Sequence, residues 1–166
     1  MLSKKHNNYA FIDGQNLNLS TQAMGWKINW RKFRIYLRDK YKIEKAYYFI
    51  GFIDVNSSLY QSLQEAGYIL VFKPILKNKD GKVKGNCDAE LVLHAMIEYS
   101  NYDKAVIVTG DGDFRCLIEY LFNQKKLLKL IVPNKYKYSA LLREFVPAIH
   151  FMNNLKGKLE YKKERH

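Results

Sequence analysis

The chain has 166 residues, the length of one domain, and its 48% hydrophobic and 27% charged residues are typical of a folded protein. This composition excludes disordered, collagen-like and low-complexity chains. Lysine and arginine number 28 against 16 aspartates and glutamates, and the resulting net charge of +12 predicts a polyanionic partner, nucleic acid first.

Apolar segments are all too short for a membrane span, which needs roughly 20 residues. The N-terminus also lacks the apolar region of a signal peptide. We therefore expect a cytoplasmic protein that does not bind membranes. The two cysteines, Cys87 and Cys116, form no CxxC pair, so a zinc site is not indicated.

Short apolar runs alternate along the chain with amphipathic stretches of helical length. The strands are predicted at Tyr9–Ile12, Lys45–Ile53, Tyr68–Lys73, Lys104–Val108, Leu127–Val132 and Ala148–Phe151. The helices are predicted at Asn29–Lys40, Ser57–Ala66, Asp88–Ser100, Asp113–Asn123 and Tyr138–Phe145, with Asn29 as a cap and Gly67 as a stop. This alternation predicts one α/β domain whose mainly parallel sheet has helices on both faces.

Two segments depart from the alternation. Ile75–Gly85 carries Asp80-Gly81, a hairpin turn signal, among several lysines. Leu155–His166 is rich in charge, and we expect a solvated tail there, after a single domain that covers residues 1–154.

Four aspartates lie where predicted strands end or helices begin. Asp13 follows the first strand, Asp111 and Asp113 follow the fourth, and Asp88 opens the helix before that fourth strand. In a sheet of order 3-2-1-4-5 the first and fourth strands are neighbours, and their carboxyl ends border one crevice. Each aspartate alone fits a helix cap or a turn. Four that converge would repel one another unless they take up protons or a cation such as Mg²⁺ or Mn²⁺ neutralises them.

An acidic cluster in a basic chain indicates phosphodiester hydrolysis. A divalent ion lowers the pKa of bound water, orients it for attack and neutralises the charge that develops on the phosphate. The chain has no P-loop and no GxGxxG motif, which disfavours a nucleotide cofactor.

Three motifs carry a family resemblance: FIDGQN at 11–16, KGNCD at 84–88 and VTGDGDF at 108–114, with EAGYILVF at 65–72 between the first two. In order and spacing they resemble the NYN domain family, the LabA-like branch of the PIN-like nucleases, from about Tyr9 to Phe151. The resemblance implies a Rossmann-like PIN fold. It also implies a metal-dependent ribonuclease, an endonuclease that acts on single-stranded RNA.

The same resemblance implies a set of site residues. The expected catalytic residues are Asp13, Asn16, Asp88, Asp111 and Asp113, and the four aspartates are also the expected ligands of Mg²⁺ or Mn²⁺. Asn16 would hold a carboxylate or contact the substrate. Relatives often carry a further acid where this chain has His94, so occupancy by a second metal stays open, and Glu90 could compensate.

Basic residues flank the expected site on two segments. We expect RNA phosphates to contact Lys77, Lys79, Lys82 and Lys84 of the hairpin segment, and Lys135 and Lys137 farther along the chain. Tyr136 and Tyr138, which alternate with that last pair of lysines, could stack on bases.

Two alternatives stay open at this point. One is an RNA-binding or regulatory protein on the same fold that has little or no turnover. The other is a Toprim-like site, which also pairs a lone acid with a DxD motif, but that group uses Glu after its first strand, where this chain has Asp13. The sequence is also compatible with a homo-oligomer.

Overall fold

The structure is a computed structural model that describes residues 5–52, 56–73 and 88–163, and the backbone of the short segments 76–77 and 83–84. Its strands are β1 Asn8–Asp13, β2 Ile43–Gly51, β3 Tyr68–Lys73, β4 Leu76–Lys77, β5 Val83–Lys84, β6 Ala105–Val108, β7 Leu127–Val132 and β8 Ile149–Phe151. Its α-helices are α1 Gly14–Ala23, α2 Trp30–Tyr41, α3 Ser57–Glu65, α4 Asp88–Ile97, α5 Arg115–Asn123 and α6 Lys156–Leu159.

Six strands form one parallel sheet in the order β3-β2-β1-β6-β7-β8. The predicted α/β class is confirmed, and so is the placement of the first and fourth predicted strands as neighbours, because β1 pairs with β6. β4 and β5 form a separate antiparallel pair where the hairpin is predicted. The Asp80-Gly81 turn of that hairpin lies outside the described residues.

Both faces of the sheet are covered, as β1 shows residue by residue. Ala10 and Ile12 belong to one apolar core, which contains Leu17 of α1 and Phe33 and Leu37 of α2. The alternate residues of the strand, Tyr9 and Phe11, belong to a second core, which contains residues of α4 and α5. Side chains that alternate along a strand point to opposite faces, so burial on both faces explains why the strand is apolar throughout.

The sequence prediction omits α1, which begins directly after β1. Asp13 caps the helix, since its side chain accepts a hydrogen bond from the Asn16 backbone N–H at 3.2 Å. Only Gly14, Leu17 and Thr21 of α1 are buried, and most of its other residues are polar. Its apolar periodicity is therefore too weak to distinguish a helix from a loop.

Two predicted helical segments differ from the prediction, one in where its α-helix begins and the other in its helix type. Gly112–Phe114 is a 3-10 turn, and α5 begins only at Arg115. Ala140–Ala148, where we predicted an α-helix over Tyr138–Phe145, is a 3-10 helix that contains Pro147. Proline has no N–H to donate to an i−4 carbonyl, which weakens the α-helical alternative at this end of the segment.

The C-terminal segment is not solvated throughout, contrary to our expectation. Leu159 is buried in the first core, the Asn29 N–H donates to the Leu159 carbonyl at 2.8 Å, and the Tyr161 N–H donates to the Lys27 carbonyl at 2.8 Å. In the described part of the chain, no helix combines the length and apolar character needed to cross a membrane.

Candidate functional site

The carboxyl ends of β1 and β6 lie side by side at the centre of the sheet, and the candidate site is built on them. Asp13 is the last residue of β1, and Asp111 lies three residues after the end of β6. Asp88 is the first residue of α4. One carboxylate oxygen from each of these three residues lies within 4.8 Å of the other two.

Thr109 connects the two strands beneath this cluster. Its hydroxyl donates a hydrogen bond to Asp13 Oδ2 at 2.9 Å, and its Oγ1 accepts one from the Asp111 N–H at 3.1 Å. The side chain is fully buried. Thr109 therefore fixes both the Asp13 carboxylate and the backbone that carries Asp111. We did not identify it from the sequence, where its position between a buried strand and GDGD was the one usable signal.

Asn16 holds the loop that follows β6. Its Oδ1 accepts a hydrogen bond from the Gly110 N–H at 2.8 Å, and the Gly110 carbonyl accepts one from the Ser139 N–H at 3.0 Å. The loop is thus tied to α1 on one side and to the segment after β7 on the other. We expected the Asn16 side chain to hold a carboxylate or to contact the substrate, and the structure instead places it on the backbone N–H of Gly110. Ser139 had no recognisable signal in the sequence.

Burial and charge together perturb Asp13. The side chain is 8% exposed, and this burial raises the pKa of Asp13 from its ordinary value of 3.8 to about 6. Hydrogen bonds from Asn16 and Thr109 lower the pKa, and the nearby charges of Asp88 and Asp111 raise it. At neutral pH, above this pKa, the Asp13 carboxylate is mainly ionised, and a nearby cation would stabilise its charge.

The donor set fits a hard divalent cation. Three aspartate carboxylates offer only oxygen ligands, and each oxygen of Asp13 has a second lone pair beyond its existing hydrogen bond. Mg²⁺ and Mn²⁺ bind oxygen ligands of this kind and keep open positions for water and phosphate. The residues present therefore fit the cation that the sequence predicts.

Asp113 does not belong to this group of three. Its side chain is exposed, and its backbone N–H donates to Asp111 Oδ1 at 2.9 Å. Glu90 and His94 on α4 are also outside the group. The ring of His94 packs against Tyr47 and Phe49, with centroid distances of 6.2 and 5.5 Å, which is a packing role.

The loop after β7 leaves the same, carboxyl edge of the sheet as the cluster, and it carries two of the predicted RNA-binding lysines. Lys135, Tyr136 and Lys137 are exposed, and Lys135 Nζ lies 5.0 Å from the centroid of the Tyr136 ring. Tyr138 is partly buried against Phe151, so Tyr136 offers the freer ring face. Lys79 and Lys82 lie outside the described residues, and Lys77 and Lys84 are described only as backbone.

Comparison with known proteins gives three findings. Residues 9–151 match the NYN domain. The chain is 30% identical over 121 residues to low amplitude and bright protein LabA of Synechococcus elongatus, an alignment that covers 67% of this chain and 65% of LabA. The crystal structure of a protein of unknown function from Vibrio parahaemolyticus has a similar fold, with a TM-score of 0.78 and 20% identity over 97% of this chain and 100% of that one.

Proposed function

The chain belongs to the NYN domain family, and from this membership and its three convergent carboxylates we propose that it is a divalent-metal-dependent ribonuclease. The family is one of PIN-like nucleases, which implies a nucleic-acid substrate. We further propose that the protein cuts single-stranded RNA internally. The observation that carries the proposal is the approach of Asp13, Asp88 and Asp111 oxygens to within 4.8 Å of one another.

In this proposal the three carboxylates hold one Mg²⁺ or Mn²⁺ at the carboxyl edge of the sheet. The chemistry that such an ion supplies is a lower pKa for bound water and neutralisation of charge on the phosphate. Thr109 joins the end of β1 to the residues after β6, and Asn16 joins α1 to the same loop, so these contacts hold the site together. The exposed Asp113 would accept a hydrogen bond from the attacking water, and Lys135 and Lys137 would hold phosphates of the RNA.

The direct test is a cleavage assay on an end-labelled single-stranded RNA and on a circular one, with Mg²⁺, Mn²⁺ or EDTA. We expect cleavage of both RNAs in either metal and none in EDTA, because a circle can be opened only by an endonuclease. Asp88→Asn and Asp111→Asn should each abolish cleavage, whereas Asp39→Asn, at an exposed residue of α2, should not.

Cleavage that persists in EDTA at the same rate would contradict the proposal. Binding of RNA without cleavage in either metal would instead support the regulatory RNA-binding alternative. Equal cleavage of DNA would show that the ribose 2′-hydroxyl plays no part in recognition.

A further inference from the structure

A cavity opens on the face of the sheet that carries α1, α2 and α3, and α1, the helix that Asp13 caps, contributes to its lining. Its volume is about 600 Å³, which is in the range of small-molecule binding sites. Side chains of α1 and α3 form two of its walls, and Tyr161 borders it from the C-terminal segment. We refer to it as the α1–α3 pocket.

Aromatic rings and polar side chains line this pocket together. Trp30 and Tyr161 supply the more open rings, whereas Trp26 is only 6% exposed. Asn18, Gln22 and Ser62 supply amide and hydroxyl groups. The described lining residues include Lys27 and no acidic residue. In the described part of the chain, the side chains of Gln22 and Ser62 make no hydrogen bond, so their polar groups are free to bind a ligand.

Backbone hydrogen bonds anchor the segment that carries Tyr161. The Tyr161 N–H donates to the Lys27 carbonyl at 2.8 Å, and Glu160 forms a β-bridge with Ile28. The Tyr161 ring nevertheless remains 59% exposed. A ring on an anchored backbone segment with an open face is available to stack on a planar group.

The helix α1 links the acidic cluster to the α1–α3 pocket, because Asp13 caps it and Asn18 of the same helix lines the pocket. Asn18 lies one helical turn beyond Gly14, the residue that follows Asp13. The Asn18 side-chain amide donates to the Tyr48 hydroxyl at 3.1 Å, which orients it at the border of the pocket. An RNA strand whose phosphate lies at the cluster can therefore extend along α1 to this pocket.

From these features we propose that the α1–α3 pocket binds one nucleobase of the single-stranded RNA, next to the phosphate that is cleaved. The exposed ring of Tyr161 and the partly buried ring of Trp30 provide stacking surfaces, which accept any base. The amides of Asn18 and Gln22 can pair with polar edges of a base, as carboxamides do with adenine. This inference rests on the proposed function, and it adds a base-binding subsite that would give the enzyme a sequence preference.

The chain offers a direct readout of this pocket, because its two tryptophans, Trp26 and Trp30, both line it. Adenosine and uridine 5′-monophosphates should quench tryptophan fluorescence saturably in EDTA, excited where nucleotides do not absorb. Inorganic phosphate and ribose 5-phosphate should not. Quenching should persist in Asp111→Asn, whose pocket is intact. The absence of quenching by both nucleotides, or equal quenching by phosphate alone, would overturn the inference.

Substitutions in the α1–α3 pocket provide a second test of the proposal. Tyr161→Ala should weaken nucleotide affinity about tenfold through the loss of one stacking surface, and Ser62→Phe should also weaken binding because its ring would occupy part of the cavity. Gln64 on α3 is exposed and does not line the pocket, so Gln64→Ala and Gln64→Phe are matched controls that should bind as the unmodified chain does. Unchanged affinity in both Tyr161→Ala and Ser62→Phe would also overturn the inference.

The two proposals fail in distinguishable ways. Quenching by nucleotides without RNA cleavage in Mg²⁺ or Mn²⁺ would contradict the proposed function and leave the base-binding pocket supported. Cleavage without quenching would contradict the pocket and leave the proposed function supported.

Discussion

Asp13 combines burial with two like-charged neighbours, and this combination makes the metal-free protein sensitive to pH. Its pKa is about 6 in the folded protein and 3.8 ordinarily, so between these values the folded chain binds more protons than the unfolded chain. Stability therefore falls as the pH rises through this window, by about 3 kcal/mol in total.

Asp13→Asn should remove this pH dependence. In EDTA we expect the variant to be more stable than the unmodified chain at pH 7.5, by about 1–3 kcal/mol, and equal to it near pH 4. Urea unfolding at the two pH values measures the difference. Asp39→Asn, at an exposed residue, should show no such change, and an Asp13→Asn effect of the same size at both pH values would contradict the assignment.

Metal binding at the three carboxylates should stabilise the fold. If Mn²⁺ binds only the folded chain, it raises the melting temperature by mass action, equivalent to about 2.7 kcal/mol at a concentration of 100 Kd. The shift should disappear in the double variant Asp88→Asn with Asp111→Asn and persist in Asp39→Asn. An equal shift in the double variant would place the ion elsewhere.

At the scale of elements, the start of α1 depends on close approach to β2. A Cβ added at Gly14 would lie 2.5 Å from Tyr48 Cε1 and 2.7 Å from the Phe49 carbonyl oxygen. Both atoms belong to the buried sheet, so neither can move away at small cost. The glycine therefore lets the first helical turn lie directly on the strand, which in turn positions Asp13 and Asn16.

Gly14→Ala should destabilise the protein by about 1–3 kcal/mol, as overpacking of a core does. Gly157→Ala is the matched control, because Gly157 lies in α6 and a Cβ there would meet no atom within 4 Å. That substitution should be neutral or slightly stabilising, since alanine has the higher helix propensity. Chemical unfolding measures the change in the free energy of unfolding for each variant. Equal changes would show that the close contact of Gly14 with Tyr48 does not make this position intolerant of a side chain.

The sheet was predictable from the sequence because its strands are apolar runs between turn signals. β3 and β7 have the predicted bounds, and Asn29 caps α2 as predicted, accepting from the Lys32 N–H. α1 was not predictable, because its one large buried side chain, Leu17, gives no periodicity. The burial of Leu159 was also not predictable, because a single apolar residue in a charged segment does not indicate which part of the chain it packs against.

The candidate site was predictable to the extent that its residues follow strands. Asp13 and Asp111 come together because β1 pairs with β6, and strand order can be inferred from the alternation of elements. The contacts of Thr109 and Ser139 depend on side-chain and backbone geometry between distant segments, which periodicity does not encode. The roles of Asn16 and Asp113 in catalysis stay predictions.

At the scale of the whole molecule, the chain has a net charge of +12, whereas its candidate site consists of aspartates. Lysines of the hairpin segment lead directly to Asp88 along the chain, so we propose that they hold RNA phosphates without reading bases. Such contacts release counterions from the RNA, and binding should therefore weaken as salt increases.

Changing Lys77, Lys79 and Lys82 to Ala should weaken single-stranded RNA binding for all sequences tested. The slope of log K against log salt should flatten by roughly 0.7 for each phosphate that a lysine no longer neutralises. Lys40, Lys45 and Lys104 lie near the opposite, amino end of the strands, and their triple alanine variant is the charge-matched control. An unchanged slope in the hairpin variant would contradict this proposal and indicate that RNA binds along the loop of Lys135 and Lys137 instead.

The pairing of β1 with β6 also determines when, during synthesis, the three carboxylates can come together. The hydrogen bond between Asp13 and Thr109 joins residues that are 96 positions apart, so a ribosome must deliver more than half of the chain before the two strand ends can meet. A nascent or prematurely terminated chain can pair β1, β2 and β3 and still lack two of the three carboxylates. Abortive translation products would thus lack the assembled group of carboxylates on which the proposed activity depends.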